Sequence, residues 1–234
     1  MEKKVSRRNF LKKSVTTGVM LTAGGLLIHS RKMAYAGELQ PVQLMKPQSA
    51  AGNVLLKILE KRSSSREFSP EPLPAAVLSN LLWAAFGINR PDGKRTAPSA
   101  SNRQEIDIYV ATPEGLYLYV AKANMLKPIL AGGIRELTGA QAFVKQAAVN
   151  LVYVADTSKM GDMKPENKAL LIGADTGFIA ENVYLYCAAE GLATVVRAWI
   201  DKPALAKAMK LRPGQEITLA QSVGYPKKKV TEAE

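Results

Sequence analysis

At 234 residues the chain is long enough for one sizeable domain, and a 47% hydrophobic content is enough to build its core. The formal charge of +12 is unevenly spread: residues 1–36 hold eight Lys/Arg against one acid, and the remainder 24 against 19. The only histidine, His29, lies in that leader and the only cysteine is Cys187, which excludes from the rest of the chain a Ser-His-Asp triad, a Cys-His pair, the usual His/Cys zinc sites and an intrachain disulfide.

The leader opens with Ser6-Arg7-Arg8-Asn9-Phe10-Leu11-Lys12. A weakly apolar stretch from Ser14 to Ile28 and then Ala34-Tyr35-Ala36 follow. A basic region, a short apolar region and a small-x-small cleavage site make a signal peptide over 1–36, and the paired arginines look like a twin-arginine signal. An uncleaved N-terminal anchor is the alternative. The twin-arginine route carries folded proteins, often with a cofactor already inserted, so the expected location is periplasmic or otherwise extracytoplasmic.

Residues 37–51 are polar and contain prolines, and read as a linker before a domain over 52–234. Val54, Leu55, Ile58 and Leu59 predict a helix from Asn53 to Lys61. Pro74 opens a second helix that runs to Gly87. Alternation over Glu105 to Ala111 and Leu116 to Val120, around Thr112-Pro113-Glu114-Gly115, predicts a hairpin. Lys122 to Gln146 reads as a helix interrupted at Gly132-Gly133, and as a pocket cover. Val149 to Ala155 reads as a strand. Ala169 to Glu190 reads as a long helix stopped by Gly191, apolar on more than one face and so doubly covered. A strand from Thr194 to Ile200, a short helix from Pro203 to Lys210 and a strand from Ile217 to Val223 complete an α+β fold.

Three polar segments stand out. Arg62-Ser63-Ser64-Ser65-Arg66-Glu67-Phe68 offers two guanidinium groups and clustered hydroxyls at a helix end, suited to a phosphate. Pro98-Ser99-Ala100-Ser101-Asn102-Arg103-Gln104 offers small residues for close approach to a flat ring, and amides that donate and accept together. Gly224-Tyr225-Pro226-Lys227-Lys228-Lys229 aims several cations from a rigid turn. Taken singly, they read first as a solvated loop, an ordinary turn and a solubilising tail. The mild basic bias suits an anionic ligand, but no dense Lys/Arg stripe with aromatics points to nucleic acid. Gly87 to Lys94 fails the P-loop spacing, and Cys187 sits in an apolar helix as an inert thiol.

In order and spacing these segments resemble the nitroreductase family. Arg62, Ser64, Arg66 and Phe68 match its R-x-S-x-R-x-[FY] pattern; Pro98, Ser99, Asn102 and Gln104 match P-S-x-x-N-x-Q; Ala188 to Leu192 matches its A-x-G-L helix end; and a G-Y-P turn closes it. The resemblance covers about 52 to 229, and Gly115-Leu116-Tyr117-Leu118-Tyr119 looks closest to the branch containing the thiazoline-forming dehydrogenases. It implies an intertwined homodimer with a central, mostly antiparallel sheet and FMN at the seam. Arg62, Ser63, Ser64 and Arg66 would hold the ribityl chain, phosphate and pyrimidine edge. Pro98, Ser99, Ala100, Asn102 and Gln104 form the second wall, with Ser99 and Asn102 coming from the partner subunit. Lys227 and Lys229 would reach the phosphate, and backbone around Ala198 would face the ring. Where many relatives carry a Gly-rich or acidic stretch, this chain has Arg197-Ala198-Trp199, which would set a cation close to the ring, favour the reduced, anionic flavin and alter the substrate pocket.

The implied chemistry is two-electron hydride transfer through the flavin N5, with no protein acid, base or metal. The acceptor would be nitroaromatic, quinone-like or azoline, and the donor a reduced nicotinamide. Because nicotinamides are scarce outside the cytoplasm, a quinol or redox partner protein is the other donor. The alternatives are a non-catalytic flavin-binding module for storage, sensing or electron relay, and an exported binding protein without flavin.

Overall fold

The structure, a computed structural model, describes residues 41–47 and 52–227. The proposed signal peptide, residues 37–40 and 48–51 of the linker, and Lys228 and Lys229 lie outside the described residues. Residues 41–47 are exposed and irregular. Among the described residues, the regular elements fall in one compact unit that begins at Lys46.

Helix α1 (Val54–Lys61) starts where the Asn53 side chain accepts the Leu56 N–H at 3.3 Å, and none of its residues is buried. Helix α2 (Ala75–Phe86) follows Pro74 and ends at Gly87, whose N–H is held by the Trp83 carbonyl. The hairpin forms as expected from β1 (Ile106–Ala111) and β2 (Gly115–Val120). The Thr112 hydroxyl accepts the Glu114 and Gly115 N–H groups and closes the turn.

Gly115 faces the neighbouring strand so closely that a Cβ there would lie 2.5 Å from the Leu130 carbonyl oxygen. Gly115→Ala should therefore cost about 2–3 kcal/mol through overpacking against backbone. A chemical-denaturation midpoint unchanged from wild type would rule this out.

Residues 122–146 depart from expectation. They hold strand β3 (Met125–Ala131) and 3-10 turns at Arg135–Thr138 and Ala142–Lys145, and no α-helix. A tight turn, with Asn124 at φ 44, sends the chain back antiparallel along β2. Pro128 is tolerated because β3 is the outermost strand and, among the described residues, has no partner on its far side. Strand β3 lies at the sheet edge opposite β5, away from the segments expected to form the site; only residues 138–147 return toward them.

Strand β4 (Val149–Asp156) is buried along its whole length. Helix α3 (Pro165–Glu190) begins on Pro165 and ends where Gly191 turns left-handed at φ 69. Strand β5 (Ala193–Arg197) stops three residues earlier than expected. Helix α4 (Lys202–Ala208) is capped by Asp201, and β6 (Gln215–Gly224) closes the sheet. The sheet order is β3-β2-β1-β4-β6-β5 and every pairing is antiparallel.

Alternation along β1 and β4 sends residues to two cores. Ile106, Ile108, Leu151 and Tyr153 pack under α2 and α3, while Tyr109, Val152 and Val154 pack under α4 with Leu205 and Met209. The expected α+β fold is thus observed. Among the described residues, one face of α3 is covered, including Ile179, Val183 and Cys187, while on the other face Leu170 is 70% and Phe178 48% exposed. Among the described residues no helix is long and apolar enough to cross a membrane.

Candidate functional site

The first and third polar segments come together. Residues 62–69 leave α1 and run against the ends of β5 and β6. The Ser65 N–H bonds the Thr194 carbonyl at 2.9 Å, the Ser69 N–H bonds the Tyr225 carbonyl at 2.8 Å, and the Lys227 N–H bonds the Glu67 carbonyl at 3.2 Å. Phe68 pairs with Pro226 in an antiparallel bridge and is itself buried against Ala193 and Val195. The meeting of the two segments therefore has a local cause: the buried Phe68 ring anchors the loop, and the polar residues before it are left outward.

Tyr184 of α3 organises that outward face. Its hydroxyl accepts the Val196 N–H at 2.9 Å and lies 2.9 Å from the Ser64 hydroxyl. The Arg62 guanidinium sits over the Tyr184 ring at 5.3 Å. Ser63 and Arg66 are exposed, and so is Lys227. None of Arg62, Arg66 and Lys227 forms an ion pair with an acid among the described residues. Three cations and two hydroxyls without a protein counter-charge are the donor set that a phosphate ester takes. Ala198 and Trp199 are exposed just past the end of β5, Trp199 at 72%. A cavity of about 810 Å³ opens beside this junction, lined among others by Phe68, Glu71, Gln146, Tyr225 and Lys227.

Tyr184 was not singled out from the sequence. Its one signal is a hydroxyl set among Ala180, Val183 and Cys187 on the buried side of the helix. Tyr184→Phe strips the Val196 N–H of its partner and frees Ser64, so it should cost about 1–3 kcal/mol. Thermal unfolding of this variant at the wild-type temperature would contradict that role.

The second segment is elsewhere on the same chain. The Ala100 N–H donates to Asp175 Oδ2 at 2.8 Å, and Asp175 lies nine residues before Tyr184 on α3, about 13 Å along the helix. Within one chain, loop 98–104 thus does not meet Arg62 and Ser64. The loop is tightly built: Ser101, Asn102 and Gln104 have φ values of 53, 54 and 49. The Ser99 hydroxyl accepts the Gln104 N–H at 3.0 Å. Gln104 uses its amide inside the chain, donating to the Gly93 carbonyl and Asn102 Oδ1 and accepting from Arg95 Nε at 2.7 Å. Gln104 thereby braces the loop, while Pro98 and the Asn102 side chain remain exposed.

Arg197 does not reach the surface. It is 5% exposed, and its guanidinium donates to the Thr138 carbonyl at 2.6 Å and to Asn150 Oδ1 at 2.8 Å. Burial lowers its pKa to about 10, which leaves it charged at neutral pH. A cation was expected close to the ring from Arg197-Ala198-Trp199; its charged end instead points into the layer formed by residues 138–150.

The nitroreductase family profile matches residues 59–225, a span that takes in the first two segments and ends within the closing turn. The chain belongs to the nitroreductase family. A nitroreductase homologue of Methanocaldococcus jannaschii is 32% identical over 155 residues, covering 62% of this chain and 78% of the homologue. The crystal structure of a nitroreductase homologue from Ralstonia eutropha JMP134 is 42% identical, with a TM-score of 0.72 over 79% of this chain and 89% of that one. The Escherichia coli microcin synthetase complex superposes with a TM-score of 0.65 over 90% of this chain and 85% of that one. At 18% identity it shares the nitroreductase fold and carries nothing further.

Proposed function

We propose that this member of the nitroreductase family is an exported FMN-dependent oxidoreductase that works as a homodimer. The observation that carries the reading is the junction of residues 62–69 with 224–227, where Arg62, Arg66 and Lys227 lie without acidic partners beside the Ser64–Tyr184 hydroxyl pair. Arg62, Ser63, Ser64, Arg66 and Lys227 would hold the ribityl phosphate, with Lys229 as an added cation. Bound FMN would supply two-electron chemistry at its N5 atom. The chain's own part is to bind, orient and shield the ring. Tyr184 fixes the Val196 backbone beside Ser64, so the wall that would face the ring is set by a hydrogen bond rather than by loop packing.

Two features support a dimer. Loop 98–104 contacts α3 at a separate point from Ser64, so Pro98, Ser99, Ala100 and Asn102 would complete the site from a second chain. The outward face of α3, with Leu170 and Phe178, and the exposed Val54, Leu55 and Leu59 of α1 offer apolar surface for that chain. Trp199, next to Ala198, would cover the substrate side and favour planar acceptors such as nitroaromatics, quinones or azolines. The compact strand β2 fits the branch that contains thiazoline-forming dehydrogenases. Export by the twin-arginine pathway would place the protein in the periplasm, where a quinol or protein donor replaces reduced nicotinamide.

Purified protein reconstituted with FMN should be yellow, bleach with an electron donor and regain colour with a nitroaromatic or quinone. A yellow protein that no donor bleaches would instead be a storage or relay module. Arg7→Lys/Arg8→Lys should retain the precursor in the cytoplasm, and unchanged export would refute the twin-arginine route.

A further inference from the structure

Glu105 is fully buried where loop 98–104 enters β1, and both of its carboxyl oxygens lack a hydrogen-bond donor. The group that faces it is another carboxyl, that of Asp175 on α3, which is 2% exposed and lies within hydrogen-bonding reach. Asp175 in turn accepts the Ala100 N–H at 2.8 Å. The 3-10 turn at Thr157–Met160 contributes a nearby cation, Lys159, whose ammonium is already engaged with the Gln104 carbonyl at 3.2 Å and Asp107 at 3.3 Å. Two buried carboxylates in contact repel and leave oxygens unsatisfied; a single proton between them removes both faults.

We propose that Glu105 and Asp175 share one proton as a positioning pair. Glu105 donates to Asp175, and Asp175 so held fixes Ala100 and sets loop 98–104, with Ser99 and Asn102, for the flavin seam. This rests on the FMN reading above for its functional consequence, but the pair itself does not.

Burial first, and then Asp175, raises the Glu105 pKa from 4.5 to about 7. The unfolded carboxyl ionises near 4.5 while the folded one stays neutral to about 7, so this group's stabilisation is complete below 4.5 and is lost as pH rises through that window. Above it the second charge repels Asp175 and loosens its hold on Ala100.

The test uses the full mature protein and three readouts. In wild type, ¹³C NMR of labelled Glu carboxyls should show one group titrating near neutral pH; if every Glu titrates below pH ~5.5 the pairing is overturned. Glu105→Gln keeps a donor toward Asp175 and cannot ionise. Its melting temperature should lack the fall with pH that wild type shows, and an equal fall in both would overturn the proposal.

FMN affinity, compared between variant and wild type at each pH so that phosphate ionisation cancels, should match within about twofold at pH ~6. At pH ~8.5 it should be at least about fivefold tighter in the variant. Equal affinities at both pH values would refute the link to the loop. Should wild type bind no FMN at any pH, the FMN reading fails, while the NMR and melting results still decide the carboxyl pair. If Glu105→Gln does not fold, the wild-type NMR titration alone stands as the deciding result.

Discussion

Arg197→Ala will destabilise the protein by about 3–5 kcal/mol, the cost of removing one member of a buried, charge-assisted network. The guanidinium is the tie between two layers. It binds the Thr138 carbonyl in the 3-10 segment and Asn150 in β4, and Asn150 also accepts from the Ser222 hydroxyl of β6 at 2.6 Å. Alanine would leave a carbonyl and an amide oxygen short of donors and open a void among buried atoms. For a chain of this length the loss corresponds to roughly 10 °C in melting temperature. Arg197→Met fills most of the volume without the donors and should cost less. A drop below about 1 kcal/mol for the alanine variant would show that the layer is held by its apolar contacts alone.

The second large effect belongs to the cations of the first segment. Arg62→Ala/Arg66→Ala should weaken FMN binding by about 100-fold or more, since each charge-assisted bond to a phosphate contributes about 1.5–3 kcal/mol. Stability should change far less, because Arg66 is exposed and Arg62 only partly covered over the Tyr184 ring. The separation of the two responses is the useful feature. Arg197 should act on stability and Arg62/Arg66 on binding, and a fluorescence titration beside a denaturation curve distinguishes them. Affinity within about threefold of wild type would place the phosphate elsewhere.

Local signals carried most of the fold. Strict alternation and a Thr-Pro-Glu-Gly turn revealed the β1–β2 hairpin, Pro74 and Gly87 bracketed α2, and Gly191 ended α3. Strand β3 was misread because an exposed edge strand has little to alternate against: Leu126 and Leu130, four apart, mimic a helix, and only Pro128 argued otherwise. The meeting of residues 62–69 with 224–227 was legible through the order and spacing that resemble the family, while composition alone left each a solvated loop or tail. The hydroxyl that organises them was not, because Ser64 and Tyr184 are 120 residues apart and no local pattern encodes their meeting. The left-handed backbone of Ser101, Asn102 and Gln104 was equally hidden. It is held by Ser99, Arg95 and Asp175, and Asp175 and Glu105 announced themselves only as acids beside apolar runs.

The claim that residues 62–66 and 224–227 form a phosphate cradle is tested most directly by titrating the apoprotein with FMN and with riboflavin under the same conditions. The two ligands share the ring and the ribityl chain, and differ only in the phosphate. A cradle of Arg62, Arg66 and Lys227 predicts that FMN binds at least about 100-fold more tightly. Equal affinity for the two, or no binding of either, would contradict it.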